Sequence, residues 1–277
     1  MSDHRGARWN LTADWPVAEN VQIYDLAHRL TVGIPHHPNH PPYSFTLTKE
    51  HGEVMYPEGV SAAAEMITTG GHVGTHVDGL AHVSKDGQVH GGVSVIDNQS
   101  YGGGVRVSPI DEMAPIIARG HLVNLPTLLG RATTPDDTVT RQHFEDWFES
   151  APGPQPGDVV LVRTGWDEHW DDNHTYLGVD TGCPGVGIEA AHWLTDRGVI
   201  ATGCDTVAYE KMPNPTLDVH VHLLVDSAVP IMEAMNLRVL AEAEVHEFHF
   251  MAIPLAIGGG TGSPIRPLAI VPGDETS

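Results

Sequence analysis

Three observations predict a mixed α/β domain. Strand-length apolar runs recur along the chain, a few helix-period segments fall between them, and 40% of the 277 residues are apolar, which is enough to bury a substantial core. Strand-like runs bounded by Gly, Pro or Asp fall at 22–26, 43–48, 62–68, 104–108, 121–125, 158–163, 198–202, 229–233, 247–253 and 268–271. Helical patterns are fewer. Thr140 stands as an N-cap before a segment in which Phe144, Trp147 and Phe148 follow the i, i+3, i+4 rule. A second pattern covers 188–197 and stops at Gly198, a residue suited to a helix C-terminus. A third covers 217–225 and a fourth 237–244. Many strands with a few interleaved helices define a mixed sheet with helices packed on it. The Pro- and Gly-rich stretches at 33–42 and 151–157 are too short to separate independent units. The expected organisation is an N-terminal extension over 1–20 and a single domain over 21–277.

Charge narrows the function. Fourteen basic residues face 36 acidic ones, a formal charge of −22, and such a chain repels nucleic acid. Only three lysines occur, at 49, 85 and 211, so no basic patch exists for a membrane surface. Cys183 and Cys204 form neither a Cys-x-x-Cys pair nor a disulfide framework. The first ten residues lack the apolar core of a signal peptide, and no apolar run approaches the roughly 18 residues that span a bilayer. A cytoplasmic protein acting on a small molecule is expected, with a homo-oligomer (dimer or tetramer) as its assembly.

The most informative segment is His72-Val-Gly-Thr-His76-Val-Asp78-Gly-Leu-Ala-His82. Imidazole and carboxylate are the groups that zinc, manganese and iron accept from proteins. On a helix, His72 and His76 would share a face, but Asp78 would point well away from it. On a strand, positions 72, 76, 78 and 82 share a face, yet a rise of about 3.3 Å per residue would hold His72 and Asp78 roughly 20 Å apart. Ligand atoms must instead converge, since metal bonds are about 2.0–2.2 Å long. The chain therefore folds back, with glycines at 70, 71, 74 and 79 supplying the freedom. A loop or strand end wrapped around a metal is predicted. Chance clustering among 19 histidines is the competing reading. The alternation with Val73, Val77 and Ala81 speaks against it.

This segment resembles the His-x-Gly-Thr-His-x-Asp-x-x-x-His signature of the metal-dependent cyclase family, which contains bacterial kynurenine formamidases, isatin hydrolases and related hydrolases of lactams and other cyclic amides. The resemblance extends over roughly 22–271. Ile23-Tyr-Asp25-Leu26 with Gly33-Ile-Pro35 is similar to the family's N-terminal stretch. Gly157-Asp-Val-Val-Leu-Val-Arg-Thr-Gly165-Trp166 is similar to its central strand, and Gly203-Cys-Asp205-Thr206 to its Gly-x-Asp-Thr turn. Leu223-Leu224, Pro230-Ile-Met-Glu233 and Thr261-Gly-Ser-Pro264-Ile-Arg266-Pro267 resemble the C-terminal blocks. One departure stands out: the small formamidases usually carry proline two residues after the motif aspartate, and this chain has Leu80. That leans toward the longer, isatin-hydrolase-like branch.

The resemblance implies a swivelling β/β/α architecture, with His72, His76 and Asp78 as ligands of Zn²⁺ or Mn²⁺, one or two ions per chain. It makes His82 the general base or proton shuttle, a role suited to an imidazole near neutrality, with a further ligand as its alternative. A histidine and a glutamate from the region of His220-Val-His222 and Glu233 complete a two-metal site in the formamidases. The His-x-x-Leu-Leu pattern puts His220 on that position. On a helix, His220 and His222 point about 200° apart, so only one faces the site. Glu233, set among apolar residues, needs a partner, and a buried ion pair is its other reading. His37, in Pro35-His-His-Pro38, stands where many relatives place an aromatic residue on the substrate.

Two other motifs lead nowhere. Gly185-Val-Gly187-Ile-Glu-Ala190 follows Cys183-Pro184 rather than a strand, so the dinucleotide-binding context is missing. No Gly-x-Ser-x-Gly occurs, and Ser263 reads as structural. The expected function is metal-dependent hydrolysis of the C–N amide bond of a small cyclic amide such as a lactam or an isatin-like compound, a metal-bound hydroxide being the nucleophile. An arylformamidase acting on N-formylkynurenine and a non-catalytic metal-binding protein are the alternatives.

Overall fold

The computed structural model describes residues 21–273. The expected extension over 1–20 lies outside the described residues. Nine segments pair into one mixed sheet: β1 (Val21–Asp25), β2 (His76–Asp78), β3 (Ile116–Asn124), β4 (Val159–Arg163), β5 (Ala201–Cys204), β6 (Ile231–Glu233), β7 (Glu247–Ala252), β8 (Gly262–Pro264) and β9 (Leu268–Pro272). Their spatial order is β1-β9-β7-β3-β4-β5-β6-β2-β8. Strands β3 to β6 run parallel and the flanking pairs are antiparallel.

The apolar run of β4 explains its central place, because a strand buried on both faces needs no polar alternation. Val160 and Val162 point to one face and Val159 and Leu161 to the other. Helices α1 (Arg141–Trp147) and α2 (Ile188–Asp196) cover the first face through Phe144, Trp193 and Leu194. The opposite face is closed by Leu26, Leu237, Leu240, Phe248 and Phe250. Helix α1 begins as expected, with Thr140 and His143 capping each other reciprocally.

Loops are fixed to the sheet by buried polar groups. Asp205, at the end of β5, accepts hydrogen bonds from Thr164 N and Oγ1 (both 2.8 Å) and Gly165 N (2.7 Å) beyond β4. The Gly-x-Asp-Thr turn is thus a clamp between two parallel strands. Arg163 pairs with Asp167 at 2.9 Å on the same side.

Several elements depart from the expected bounds. The run at 121–125 is the end of the longer β3, and 104–108 supplies only Gly104–Val105, paired with Gln99–Ser100. The helix expected over 217–225 is α3 (Asp218–His220), continued by π-helical turns over Val221–Asp226. Strand β2 is the strand end expected in the metal motif, while β8, Gly-Ser-Pro, is absent from the sequence expectation because three such residues carry no apolar alternation. The runs at 43–48 and 62–68 pair with each other as a separate hairpin, Ser44–Lys49 with Ala64–Thr68. Among the described residues, no helix is long and apolar enough to cross a membrane.

Candidate active site

Strand register assembles the site. Strand β2 lies between β6 and β8, with Glu233 opposite His76, and Ile231 and Gly262 both opposite Asp78. Directly opposed residues share a face, as do residues two apart on one strand. His76, Asp78 and Glu233 therefore emerge on one side, while Val77 and Met232 enter the core on the other. His72 joins them from the turn before β2. Gly74 takes a left-handed φ of +69° in that turn, where a Cβ would lie 2.5 Å from Leu30 Cδ2. Gly262 lets the His72 ring pack close, since a Cβ there would stand 2.3 Å from its Cε1.

The resulting cluster is tight. His72 Nδ1 is 2.5 Å from Asp78 Oδ1, and its Nε2 is 2.9 Å from Thr261 Oγ1. His76 Nε2 lies 3.4 Å from both Asp78 Oδ1 and Glu233 Oε2. His220 Nε2 lies 3.2 Å from Glu233 Oε1 and 3.5 Å from Asp78 Oδ2. His82 stacks on His72 with centroids 3.8 Å apart, its Nε2 3.9 Å from Asp78 Oδ2. His222 points elsewhere, its Nε2 2.9 Å from Thr195 Oγ1 and its ring against His192.

Two carboxylates in a buried space set the local electrostatics. Burial alone pushes the His76 imidazole down, but hydrogen bonds and charge from Asp78 and Glu233 outweigh it and raise it to about 10. His220 is likewise raised against its burial by Asp78, Glu210 and Glu233. Asp78 is held well below its ordinary value; the surrounding imidazoles, His82 and His72 first, overcome the cost of burial. Glu233 is held at about 2, because His220 and His76 outweigh both burial and the Asp78 charge. The cluster thus attracts positive charge strongly.

A divalent cation fits this demand. Asp78 Oδ2 is buried and has no hydrogen-bond partner, although a buried carboxylate oxygen needs one. Two donor sets converge, His72/Asp78/His82 and His76/Asp78/Glu233, each with ligand atoms within 4.8 Å of one another, and they share Asp78. Nitrogen and oxygen donors without thiolate suit zinc or manganese.

A cavity of about 300 Å³ opens onto the cluster, with His72, His76, His82, His220 and Glu233 in its wall. His37 lies in the rim. Leu80 does not line this cavity; it is partly buried and packs against the core that α1 and α2 cover. Tyr209 also belongs to the core, its hydroxyl 2.6 Å from Thr202 Oγ1, while its backbone N–H donates to Glu233 Oε1 at 2.8 Å. Ser263 is structural, accepting from Leu255 N and donating to its neighbour's carbonyl.

Three contributors escaped the sequence reading. Glu210 Oε2 accepts from both Nδ1 (2.8 Å) and the backbone N–H (2.9 Å) of His220. Thr261 holds His72 across 189 positions of sequence. His40 lines the cavity beside His37. Only His40 left a sequence signal, as the third histidine of a proline-rich stretch.

A buried cluster of imidazoles and carboxylates at the rim of a mixed sheet, open to a small cavity, could hold a metal ion where chemistry has room. The chain belongs to the cyclase family: the family model described as "Putative cyclase" matches residues 24–211. A kynurenine formamidase of Bordetella petrii is 25% identical over 88% of this chain and 96% of its own length. An isatin hydrolase of Roseibium aggregatum is 30% identical over 51% of this chain and 55% of its own. A crystal structure described as a novel cyclase superimposes with a TM-score of 0.84 at 25% identity, covering 91% of this chain and 87% of that one. An isatin hydrolase solved with the product analogue thioisatinate shares the fold, with a TM-score of 0.73 at 22% identity over 92% and 94% of the two chains.

Proposed function

We propose that this chain is a metal-dependent amidohydrolase that cleaves the C–N bond of a small, neutral cyclic amide, a lactam or isatin-like ring. The observation that carries the reading is the convergence of His72, His76, His220 and Glu233 on Asp78, whose Oδ2 has no hydrogen-bond partner, beside a cavity lined by those four residues. A zinc or manganese ion held by these residues supplies a Lewis acid that polarises the amide carbonyl and acidifies water.

The chain's own groups manage geometry and protons. Glu210 fixes the His220 ring with Nε2 toward the site, and Thr261 and Gly262 fix His72. His82 acts as the proton carrier. Burial, with the charges of His72 and His220, outweighs the pull of Asp78 and lowers it to about 4, so its ring is neutral at pH 7. It takes one from the attacking water and returns it to the leaving nitrogen, with its ring exposed to the cavity on one side. The apolar wall of the cavity, which includes Val83, Val207 and Leu217, suits a planar neutral ring and limits competing water.

N-formylkynurenine is the second substrate reading, favoured by the formamidase relatives that align along most of the chain. A side-by-side assay of cyclic amides and N-formylkynurenine with metal-loaded protein tests the choice. Faster turnover of the cyclic amides is expected, and a formamide preferred by more than about tenfold would reverse the order.

A further inference from the structure

The loop from β1 to the outer hairpin runs Pro35-His-His-Pro38-Asn-His40-Pro41-Pro42. Prolines at 35, 38, 41 and 42 each fix a backbone φ, so the loop loses little freedom on binding a ligand. Both ends are pinned. Ile34 and Tyr43 are buried and pack on Val73, inside the metal motif itself. Pro41 lies against Gly70, where a Cβ would stand 3.1 Å from its Cδ. The bend between is closed by His40 N donating to His37 O at 2.9 Å.

Several residues of this loop line the cavity, and His40 is the one whose ring meets the rings of the metal cluster. The His40 ring centroid is 5.1 Å from that of His72 and 6.2 Å from that of His82, and the residue is half-buried in the cavity wall. A neutral imidazole offers one N–H donor and one acceptor nitrogen.

We propose that His40 is a specificity residue, which hydrogen-bonds a second polar atom of the substrate next to the scissile amide. The inference rests on the amidohydrolase reading and narrows its substrate class to cyclic amides that carry an adjacent carbonyl or comparable oxygen. The spacing supports it: with the amide at the metal cluster, a ring about 5 Å from that of His72 stands beside it, where a neighbouring substrate oxygen would lie. A rigid arm suits this role, because it adds a directed contact at little entropic cost.

The test uses metal-loaded protein with two probes, isatin and oxindole, which share the ring and differ in the second carbonyl. Binding by calorimetry, KM, kcat and metal content are measured for wild type, His40→Phe and His40→Gln. Oxindole is intrinsically less reactive, so the change in the isatin/oxindole ratio between variants is read. His40→Phe should erode the binding preference for isatin by about tenfold, the scale of one hydrogen bond, mainly through KM, at unchanged metal content. His40→Gln, which keeps a donor and an acceptor, should restore part of it. A His40→Phe protein that keeps the full preference overturns the inference, as does one that loses metal together with preference. Wild type that binds neither probe overturns the inference and the cyclic-amide reading together. Wild-type hydrolysis of either ring keeps that reading alive whatever His40 does.

Discussion

Glu210 Oε2 lies 2.8 Å from His220 Nδ1 and 2.9 Å from the His220 backbone nitrogen, so one carboxylate oxygen fixes both the ring and the main chain of a candidate ligand. A histidine held this way has its tautomer chosen: Nδ1 carries the proton and Nε2 is free to bind. The other oxygen, Oε1, is buried without a hydrogen-bond partner.

Glu210→Gln should therefore weaken metal affinity by roughly 10–100-fold, the usual effect of losing such a partner, while the fold is retained. Competitive titration against a metal chelator, with circular dichroism as the folding control, measures this. Unchanged affinity would reduce Glu210 to a packing residue.

His82→Ala should keep its metal and lose roughly 10²–10⁴ in kcat, the range of general acid–base help. The donor set His72/Asp78/His82 offers the competing role. Metal content that falls in step with activity would make His82 a ligand.

His220→Ala and Glu233→Gln should each cut activity severely, and the double variant should be little worse than either, since groups acting as a unit are non-additive. His222→Ala should be mild, because its ring rests on Thr195 and His192, away from the cavity. Steady-state kinetics of the four variants settles the ranking. A silent His220 beside a critical His222 would contradict it.

Asp158 gives the pH dependence of stability. Its carboxylate accepts from Arg119 (2.7 Å), His121 (2.9 Å) and Gln155 N (2.8 Å). Burial pushes it up, but Arg119, Gln155 and His121 outweigh this and lower it. A depressed carboxylate contributes stability above its unfolded value of about 3.9 and loses it as pH falls through the folded value. Asp158→Asn should lower the melting temperature at pH 7 by several degrees, given about 1–3 kcal/mol for a charged hydrogen-bond network and 2–4 °C per kcal/mol at this size. The gap between the two proteins should close between pH 4 and pH 2. An equal gap at pH 7 and pH 2 would show that charge plays no part.

What the sequence revealed followed from locality. Residues 72–82 were legible because three histidines and an aspartate lie within eleven positions, and parity alone put His76 and Asp78 on one face. The parallel centre was legible in runs such as Val159–Arg163, where burial on both faces demands unbroken apolar residues. The helical angle between His220 and His222 left one ring for the site, and the family pattern chose between them. Strand β8 was invisible and β2 only a possible strand end, since it is the pairing of β2 with β6 and β8 that makes these short segments extended. Glu210 and Thr261 were missed because their partners are contacts of the folded chain. Leu80 stands beside the motif in sequence, yet in space it packs on the core and does not line the cavity.

The central claim is that a divalent ion bound around Asp78 drives amide hydrolysis. Its most direct test is to strip the wild-type protein with a chelator, titrate zinc or manganese back, and follow bound metal and hydrolysis of a cyclic amide together, with Asp78→Asn alongside. Activity should vanish with the metal and return in proportion to one or two equivalents bound, while Asp78→Asn should bind little metal and stay inactive. A stripped protein that hydrolyses the amide at the full rate, or an Asp78→Asn variant as active as wild type, would contradict the account.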